Sequence, residues 1–191
     1  VTKTASGRVR AIFMTSNVLL LPIHKDEVRE NSTYALTFDI GKSLTVINKI
    51  HRITYNGEET DMCFALIGTR YPYRSVHRLL EHDFHTHYAG LGEDPSEVGE
   101  ASLHAPGRTM KCFASYTRIY TETRSSYGYK CEQTAMTHPG DCGSPLITTE
   151  NPTLIGFHVS RILDSTTTYA SIVDRNSWNC FLASCTKNEN E

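Results

Sequence analysis

The chain has 191 residues, a formal net charge of −2, 39% hydrophobic residues and 21% charged residues. This composition is ordinary for a globular protein and excludes a chain that is disordered throughout. The near-neutral charge also excludes a polycationic nucleic-acid-binding protein, so any such surface must be a local patch. The longest apolar run, Val18–Ile23, is far shorter than a membrane span, and the residues after Val1 do not resemble a secretory signal.

The six cysteines invite a disulfide or zinc interpretation because their number is even. A chain of this length does not need disulfides for stability, and no signal sequence indicates an oxidising compartment. No Cys-x-x-Cys pair occurs, and the nearest pair, Cys180 and Cys185, has no matching second pair. We therefore expect reduced thiols, no metal site and no cofactor.

Short alternating or apolar runs predict strands in the first half of the chain: Val9–Met14, Asn17–Leu21, Tyr34–Phe38, Leu44–Ile53 and Asp61–Ile67. Asn56-Gly57 is a strong hairpin turn signal between the last two. The pattern weakens from Gly68 to Arg108, where Gly90–Gly99 contains Pro95 and indicates a loop.

Strand patterns resume in the second half: Met110–Glu122, Tyr127–Met136, Pro145–Thr148, Leu154–Ser160 and Thr167–Val173. Asp174–Ala183 is expected to be a short helix. Two sets of about six strands predict an all-β fold of two antiparallel six-stranded barrels. The expected divisions are an N-terminal barrel over 1–78, a connector over 79–108 and a C-terminal barrel with the helix over 109–191.

The segment Thr137–Pro145 carries the clearest chemical signal, because Gly140 and Gly143 flank Cys142. Glycines permit a tight turn on which amides can converge beside a nucleophile and stabilise a developing oxyanion. We expect the amides of Gly140, Asp141 and Cys142 to form that oxyanion hole. The alternative is a buried cysteine in a Gly-Pro loop.

Gly-Asp-Cys-Gly followed by Gly-x-His at His158 resembles the second barrel of picornavirus 3C and related 3C-like proteases, which are cysteine enzymes with the chymotrypsin-like fold. The resemblance extends to Asn17–His24, which ends in Leu-Pro-x-His, to Asp61–Ile67, and to Tyr169-Ala170-Ser171. It implies a chymotrypsin-like fold with short helices and a catalytic order of His24, Asp61 and Cys142.

Chemistry supports these roles independently of the resemblance. A free thiol with a pKa near 8.5 is mostly protonated at neutral pH, so Cys142 needs a base such as His24. An acid such as Asp61 would fix the orientation of the imidazole. The alternatives are a surface histidine at His24 and a solvated strand start at Asp61, with Glu59 on the same strand face as the nearest rival acid.

The resemblance also implies that His158 and Thr137 bind the amide of a P1 glutamine, or a P1 glutamate, in the S1 pocket. A buried imidazole that hydrogen-bonds an amide rejects apolar side chains, because they would leave it unpaired. Val159, Ser160 and Arg161 are the expected substrate-pairing strand. The alternative for His158 is a core histidine that is satisfied within the strand.

Two other clusters carry weaker signals. The clustered His82, His85 and His87 lack metal-ligand spacing and are better explained as solvated loop residues. Arg70, Arg74 and Arg78 form a basic stretch with adjacent tyrosines that suits RNA contact, although a solvated linker between the barrels is the better explanation.

These features predict a viral cysteine endopeptidase that processes a polyprotein, and host proteins as further substrates, in the host cell cytoplasm as a monomer or weak dimer. The alternative functions are a viral RNA-binding module of the same fold with weak proteolysis, and a redox or metal protein that uses the cysteines.

Overall fold

The computed structural model describes residues 2–3, 6–8, 10–23, 29–38, 41–55, 57–72, 96–105, 107–121, 124–138, 141–149 and 152–189. These residues form thirteen strands and one helix. The first seven strands are β1 Thr2–Lys3, β2 Ser6–Arg8, β3 Ile12–Thr15, β4 Val18–Pro22, β5 Ser32–Phe38, β6 Gly41–Tyr55 and β7 Glu58–Ile67. The others are β8 Ser96–Ala105, β9 Arg108–Tyr120, β10 Ser125–Gln133, β11 Pro145–Thr148, β12 Leu154–Arg161 and β13 Thr167–Ile172, followed by helix α1, Arg175–Glu189.

The strands divide into two antiparallel units. The first is a seven-stranded sheet in the order β2-β1-β5-β6-β7-β4-β3, and the second is a closed barrel in the order β10-β13-β12-β11-β8-β9. The predicted all-β, chymotrypsin-like fold is confirmed. The first unit has seven strands instead of the expected six, and two of them form the short β1–β2 pair, which the sequence did not predict and which joins the sheet where Thr2 pairs with Ala35.

The predicted start of the second barrel at residue 109 was wrong. Strand β8, Ser96–Ala105, is a full member of the barrel and pairs with both β9 and β11. Its register with β9 shifts between Glu97 and Gly99, and Gly99 has a positive φ of 118°. This bulge interrupts the alternation of the strand, which explains why the segment resembled a loop in the sequence.

Strands β4 and β7 are buried on both faces. Leu19 and Leu21 of β4 pack into the core of the first sheet, whereas Val18 and Leu20 pack into a second core. That second core is shared with the barrel, which contributes Phe157. Burial on both sides explains the uninterrupted apolar run in β4, and it places the end of this strand at the junction of the two units.

Helix α1 closes the shared core. Its first turn is capped by Asp174, whose carboxylate accepts a hydrogen bond from the amide of Ser177 (2.9 Å). Trp178 and Phe181 are buried against Phe64 of β7, with ring centroids 5.3 and 5.1 Å away. Within the part of the chain that the structure describes, no helix has the length and apolar character needed to cross a membrane.

We expect Gly128→Ala to destabilise the barrel, because a Cβ at this position would lie 2.4 Å from the carbonyl oxygen of Ala170 and 2.7 Å from Cδ1 of Ile119. The free energy of unfolding should fall by about 3 kcal/mol. Gly68→Ala is the matched control, since its Cβ would meet nothing closer than 3.7 Å and should change stability by less than about 0.5 kcal/mol. Denaturant unfolding measures both, and equal effects would contradict the packing described here.

Candidate active site

Cys142 lies on a turn that is held between the two units. Its carbonyl accepts a hydrogen bond from the amide of Arg10 in the first unit (2.9 Å). On the other side, the amide of Gly143 donates to the carbonyl of His158 (2.8 Å), and the amide of His158 donates to the carbonyl of Ser144 (2.9 Å). Backbone bonds from both units therefore fix the half-buried Cys142 at their junction.

Gly143 permits this junction to close. Its φ is 93°, in the region that side chains rarely adopt. A Cβ here would lie 2.1 Å from the carbonyl oxygen of Arg10 and 2.8 Å from Cδ of Pro22. Only glycine allows this approach, which brings the Cys142 turn against the last residue of β4.

Asp61 lies beside the same strand end. Its carbonyl accepts a hydrogen bond from the amide of Ile23 (2.7 Å), which extends the pairing of Pro22 with Met62 by one residue. The side chain of Asp61 is fully buried. The predicted base, His24, lies outside the described residues, but the residue before it in the chain, Ile23, is bonded to Asp61, and Pro22 approaches Gly143.

The carboxylate of Asp61 faces a cation from the other unit. Arg124, in the turn between β9 and β10, places its Nε 3.0 Å from Oδ1 of Asp61. Its Nη1 lies 2.5 Å from Oε2 of Glu59, the rival acid, which is largely exposed. Sequence analysis did not identify Arg124, because an arginine in a polar turn carries no signal of a contact 63 positions away.

The loop before Cys142 is organised by Asp141. Its carboxylate accepts a hydrogen bond from the amide of His138 (2.7 Å) and forms an ion pair with Arg108. Arg108 also donates to the carbonyl of Met136 (3.2 Å), so it ties both ends of the loop together. Arg108 was another contributor that the sequence did not reveal.

This loop changes the expected oxyanion hole. The amide of Asp141 donates to the carbonyl of His138 (3.0 Å), so in this structure it is already satisfied within the loop. The prediction that this amide helps to bind the oxyanion is therefore not supported. The amide of Cys142 has no acceptor among the described residues, and Gly140 lies outside them.

Both predicted S1 residues are buried. His158 lies on β12 opposite Ala170 of β13, and Thr137 precedes the Asp141 loop. Within the described residues, Oγ1 of Thr137 has no hydrogen-bond partner. Arg161 donates to the carbonyl of Thr137 (3.1 Å) and thus ties this segment to β12, the strand of His158.

The predicted substrate strand has a free edge next to the thiol. Val159–Arg161 has β13 on one side, and the described part of β11 pairs only as far as Phe157, so the other edge has no strand partner there. Sγ of Cys142 lies 3.8 Å from the carbonyl oxygen of Val159. The hydroxyl of Ser160 donates to the carbonyl of Tyr120 at the end of β9 (3.2 Å).

The remaining candidates lie away from this junction or outside the described residues. Arg70 is exposed after the end of β7, whereas Arg74, Arg78 and the three histidines His82, His85 and His87 are not among the described residues. In the described ranges, no group of three or more His, Cys, Asp or Glu side chains could hold a metal ion. All six cysteines are free thiols.

No protein-family model and no characterised protein sequence matches the chain. Solved structures with similar folds include an inactive chimeric mutant of the murine norovirus NS6 protease, with 16% identity and a TM-score of 0.51 over 87% of this chain and 89% of that one. They also include the catalytically active tobacco etch virus protease complexed with product, with 17% identity and a TM-score of 0.56 over 90% and 69% of the two chains. A mutant of human heparin binding protein gives 9% identity and a TM-score of 0.58 over 98% and 89%. The chain therefore has the chymotrypsin-like fold found in viral cysteine proteases, in agreement with the resemblance to 3C-like enzymes.

Proposed function

We propose that this protein is a viral cysteine endopeptidase that cleaves a polyprotein after glutamine or glutamate. The observation that supports this most is the position of the Cys142 thiol. It lies on a glycine-supported turn between the end of β4, which leads directly into His24, and the free edge of β12. The similar folds of the norovirus and tobacco etch virus proteases support the same reaction class.

In the proposed mechanism, His24 removes the proton from the Cys142 thiol, and the thiolate attacks the carbonyl carbon of the P1 residue. The amides of Cys142 and Gly140 stabilise the oxyanion. His24 then donates its proton to the leaving amine, and the C–N bond breaks to leave a thioester. Water, deprotonated by His24, hydrolyses the thioester and regenerates the thiol. Asp61 orients the imidazole throughout.

The carboxylate of Asp141 has a supporting role in this proposal. It accepts a hydrogen bond from the amide of His138 and pairs with Arg108, so it ties the residue before Cys142 to His138 and to β9. An oxyanion hole works because its donors need no reorganisation during the reaction. Asp141 therefore acts on the oxyanion through loop geometry rather than through its own amide.

Substrate selection would depend on two surfaces. The buried His158 and Thr137 would hydrogen-bond the P1 side chain, which favours glutamine or glutamate over apolar residues of the same size. The free edge of Val159–Arg161 would pair with the substrate backbone as an added strand. We propose that the substrate is the polyprotein of a picorna-like virus, cleaved in the cytoplasm of the host cell, and that host proteins are further substrates.

Binding of viral RNA stays a prediction. Arg70 is exposed, but its two companions, Arg74 and Arg78, lie outside the described residues. No contact of the described chain favours RNA binding as the main function.

Peptide cleavage by single variants tests the catalytic assignment. Cys142→Ala and His24→Ala should lower kcat/KM by a factor of about 1,000 or more, because each removes a group that reacts. Asp61→Asn should cost about 10- to 100-fold, because it disturbs only the orientation of the base. Activity close to wild type in a folded variant would remove that residue from the mechanism.

His158→Ala should remove the preference for a P1 glutamine. The measurement is the ratio of kcat/KM values for two peptides that differ only in glutamine or methionine at P1, determined with the same enzyme sample. A ratio cancels any loss of folded protein. We expect it to fall by about 100-fold or more; an unchanged ratio would reject the S1 assignment.

Thiol alkylation tests the activation of Cys142 without any substrate. Burial raises the pKa of the Cys63 thiol to about 12 despite the opposing charge of Arg52, so this thiol stays protonated at pH 8. Iodoacetamide at pH 8 should therefore label Cys142 and the exposed Cys180, but not Cys63, as read by peptide mass spectrometry.

His24→Ala should slow the labelling of Cys142 and leave Cys180 unchanged. A parallel change at both cysteines would mean that His24 does not act on the thiol.

A further inference from the structure

The turn between β9 and β10 carries a two-armed contact to the first unit. Nε of Arg124 lies 3.0 Å from Oδ1 of Asp61, and its Nη1 lies 2.5 Å from Oε2 of Glu59. The two carboxylates differ in environment: the side chain of Asp61 is 0% exposed, whereas that of Glu59 is 59% exposed. One guanidinium therefore joins a buried acid of the proposed triad and a surface acid two residues before it.

Because Asp61 is buried, the contact of Arg124 with Asp61 matters more than its contact with Glu59. A carboxylate out of contact with water needs a compensating partner, and losing that partner is costly, whereas an exposed ion pair contributes little. Nε of Arg124 has no hydrogen-bond partner among the described residues, so its 3.0 Å contact with Oδ1 of Asp61 is an ion pair that acts through charge. Glu59 restrains the guanidinium on the solvent side, and the positive charge of the guanidinium stabilises the buried carboxylate of Asp61.

Arg124 is hydrogen-bonded to the end of β9 through Thr121. The amide of Thr121 donates to the carbonyl of Arg124 (2.9 Å), and the amide of Arg124 donates to the hydroxyl of Thr121 (3.2 Å). The preceding residue, Tyr120, accepts the hydrogen bond from Ser160 on the proposed substrate strand. The same short segment thus contacts the proposed substrate strand and the proposed triad acid.

We propose that Arg124 is a positioning residue for proteolysis: it holds the carboxylate of Asp61, the acid assigned to orient the base, relative to the barrel that carries Cys142. This inference rests on the proposed function. Asp61 belongs to the first unit, and Cys142 belongs to the second. Arg124 is a side chain of the second unit that contacts Asp61 directly.

A second ion pair from the same hairpin provides a matched control. Arg118 of β9 binds Glu58 of β7 with two hydrogen bonds of 2.8 and 3.0 Å, and it lies over the ring of Tyr127. The hydrogen bond from Arg118 lowers the pKa of Glu58. This pair also bridges the two units, but both of its partners are about one-third exposed. Arg118→Gln therefore reports the cost of losing a bridge alone.

The experiment compares Arg124→Gln, Arg124→Lys, Glu59→Gln and Arg118→Gln in peptide cleavage, each in the full chain and each checked by thermal unfolding. We expect Arg124→Gln to lower kcat by about tenfold with KM changed by less than about threefold, because orientation of the base affects the chemical step. Arg124→Lys should recover part of the loss, and the other two variants should stay within about twofold of wild type.

A double-mutant cycle identifies the route of the effect. In an Asp61→Asn background, Arg124→Gln should change kcat by less than about twofold, because the group through which it acts is already altered. The same tenfold loss in both backgrounds, a loss that appears only in KM, or an equal loss in Arg118→Gln would overturn the proposal.

Should Arg124→Gln fail to fold, Arg124→Lys is compared with Arg118→Lys. A loss of kcat that is equal in the two lysine variants would overturn the proposal. Failure of the proposed function is distinguishable from failure of this inference. A wild-type protein that cleaves no peptide, and whose Cys142 alkylates no faster than Cys180, rejects the protease and the positioning role with it. A wild-type protein that cleaves peptide while Arg124→Gln cleaves equally well rejects the positioning role alone.

Discussion

Packing of β4 and β7 against the barrel and helix α1 is the constraint on which the candidate site depends. These two strands are buried on both faces, so apolar packing fixes them relative to the barrel. Gly143 then meets Pro22, and Ile23 meets Asp61, at the edge of this shared core. The polar groups of the site are placed by apolar packing a few ångströms away.

Polar contacts then hold the residues of the candidate site in position. Around Cys142, Arg108 and Asp141 hold the preceding loop, and backbone bonds from Arg10 and His158 hold the turn. Across the junction, Arg124 contacts the buried Asp61. Arg108 and Arg124 each bind a carboxylate that is buried or nearly buried, and losing the partner of a buried charge is costly. The site is thus supported from both units rather than by one loop.

The sequence predicted the parts of this arrangement that have local signals. Alternating and apolar runs gave the strands, and β11 was predicted with its observed ends, Pro145–Thr148. The glycine beside Cys142 indicated a strained turn, and its positive φ agrees. Strand β8 was missed because a bulge at Gly99 disrupts its alternation. Arg124 and Arg108 were missed because their partners are distant in sequence, and no periodic pattern encodes such a contact.

The contact that the amide of Asp141 makes within its own loop, instead of the predicted free amide of an oxyanion hole, was missed for a related reason. Sequence can show that a turn is tight, but it does not show which carbonyl an amide in that turn will meet, and here the amide of Asp141 meets His138. The side chain of Asp141 then has a use that its position beside the nucleophile did not suggest.

The sharing of one core between the two sheets has a consequence for synthesis on the ribosome. Phe64 is made early, but the rings that cover it, Trp178 and Phe181, are made more than a hundred residues later. Until they emerge, Phe64 lacks this part of its cover, and the shared core is only partly closed by the strands of the barrel. The full packing around Phe64 can therefore be completed only after residue 181 has been made, and this order of events would delay the final closure of the shared core until helix α1 has folded.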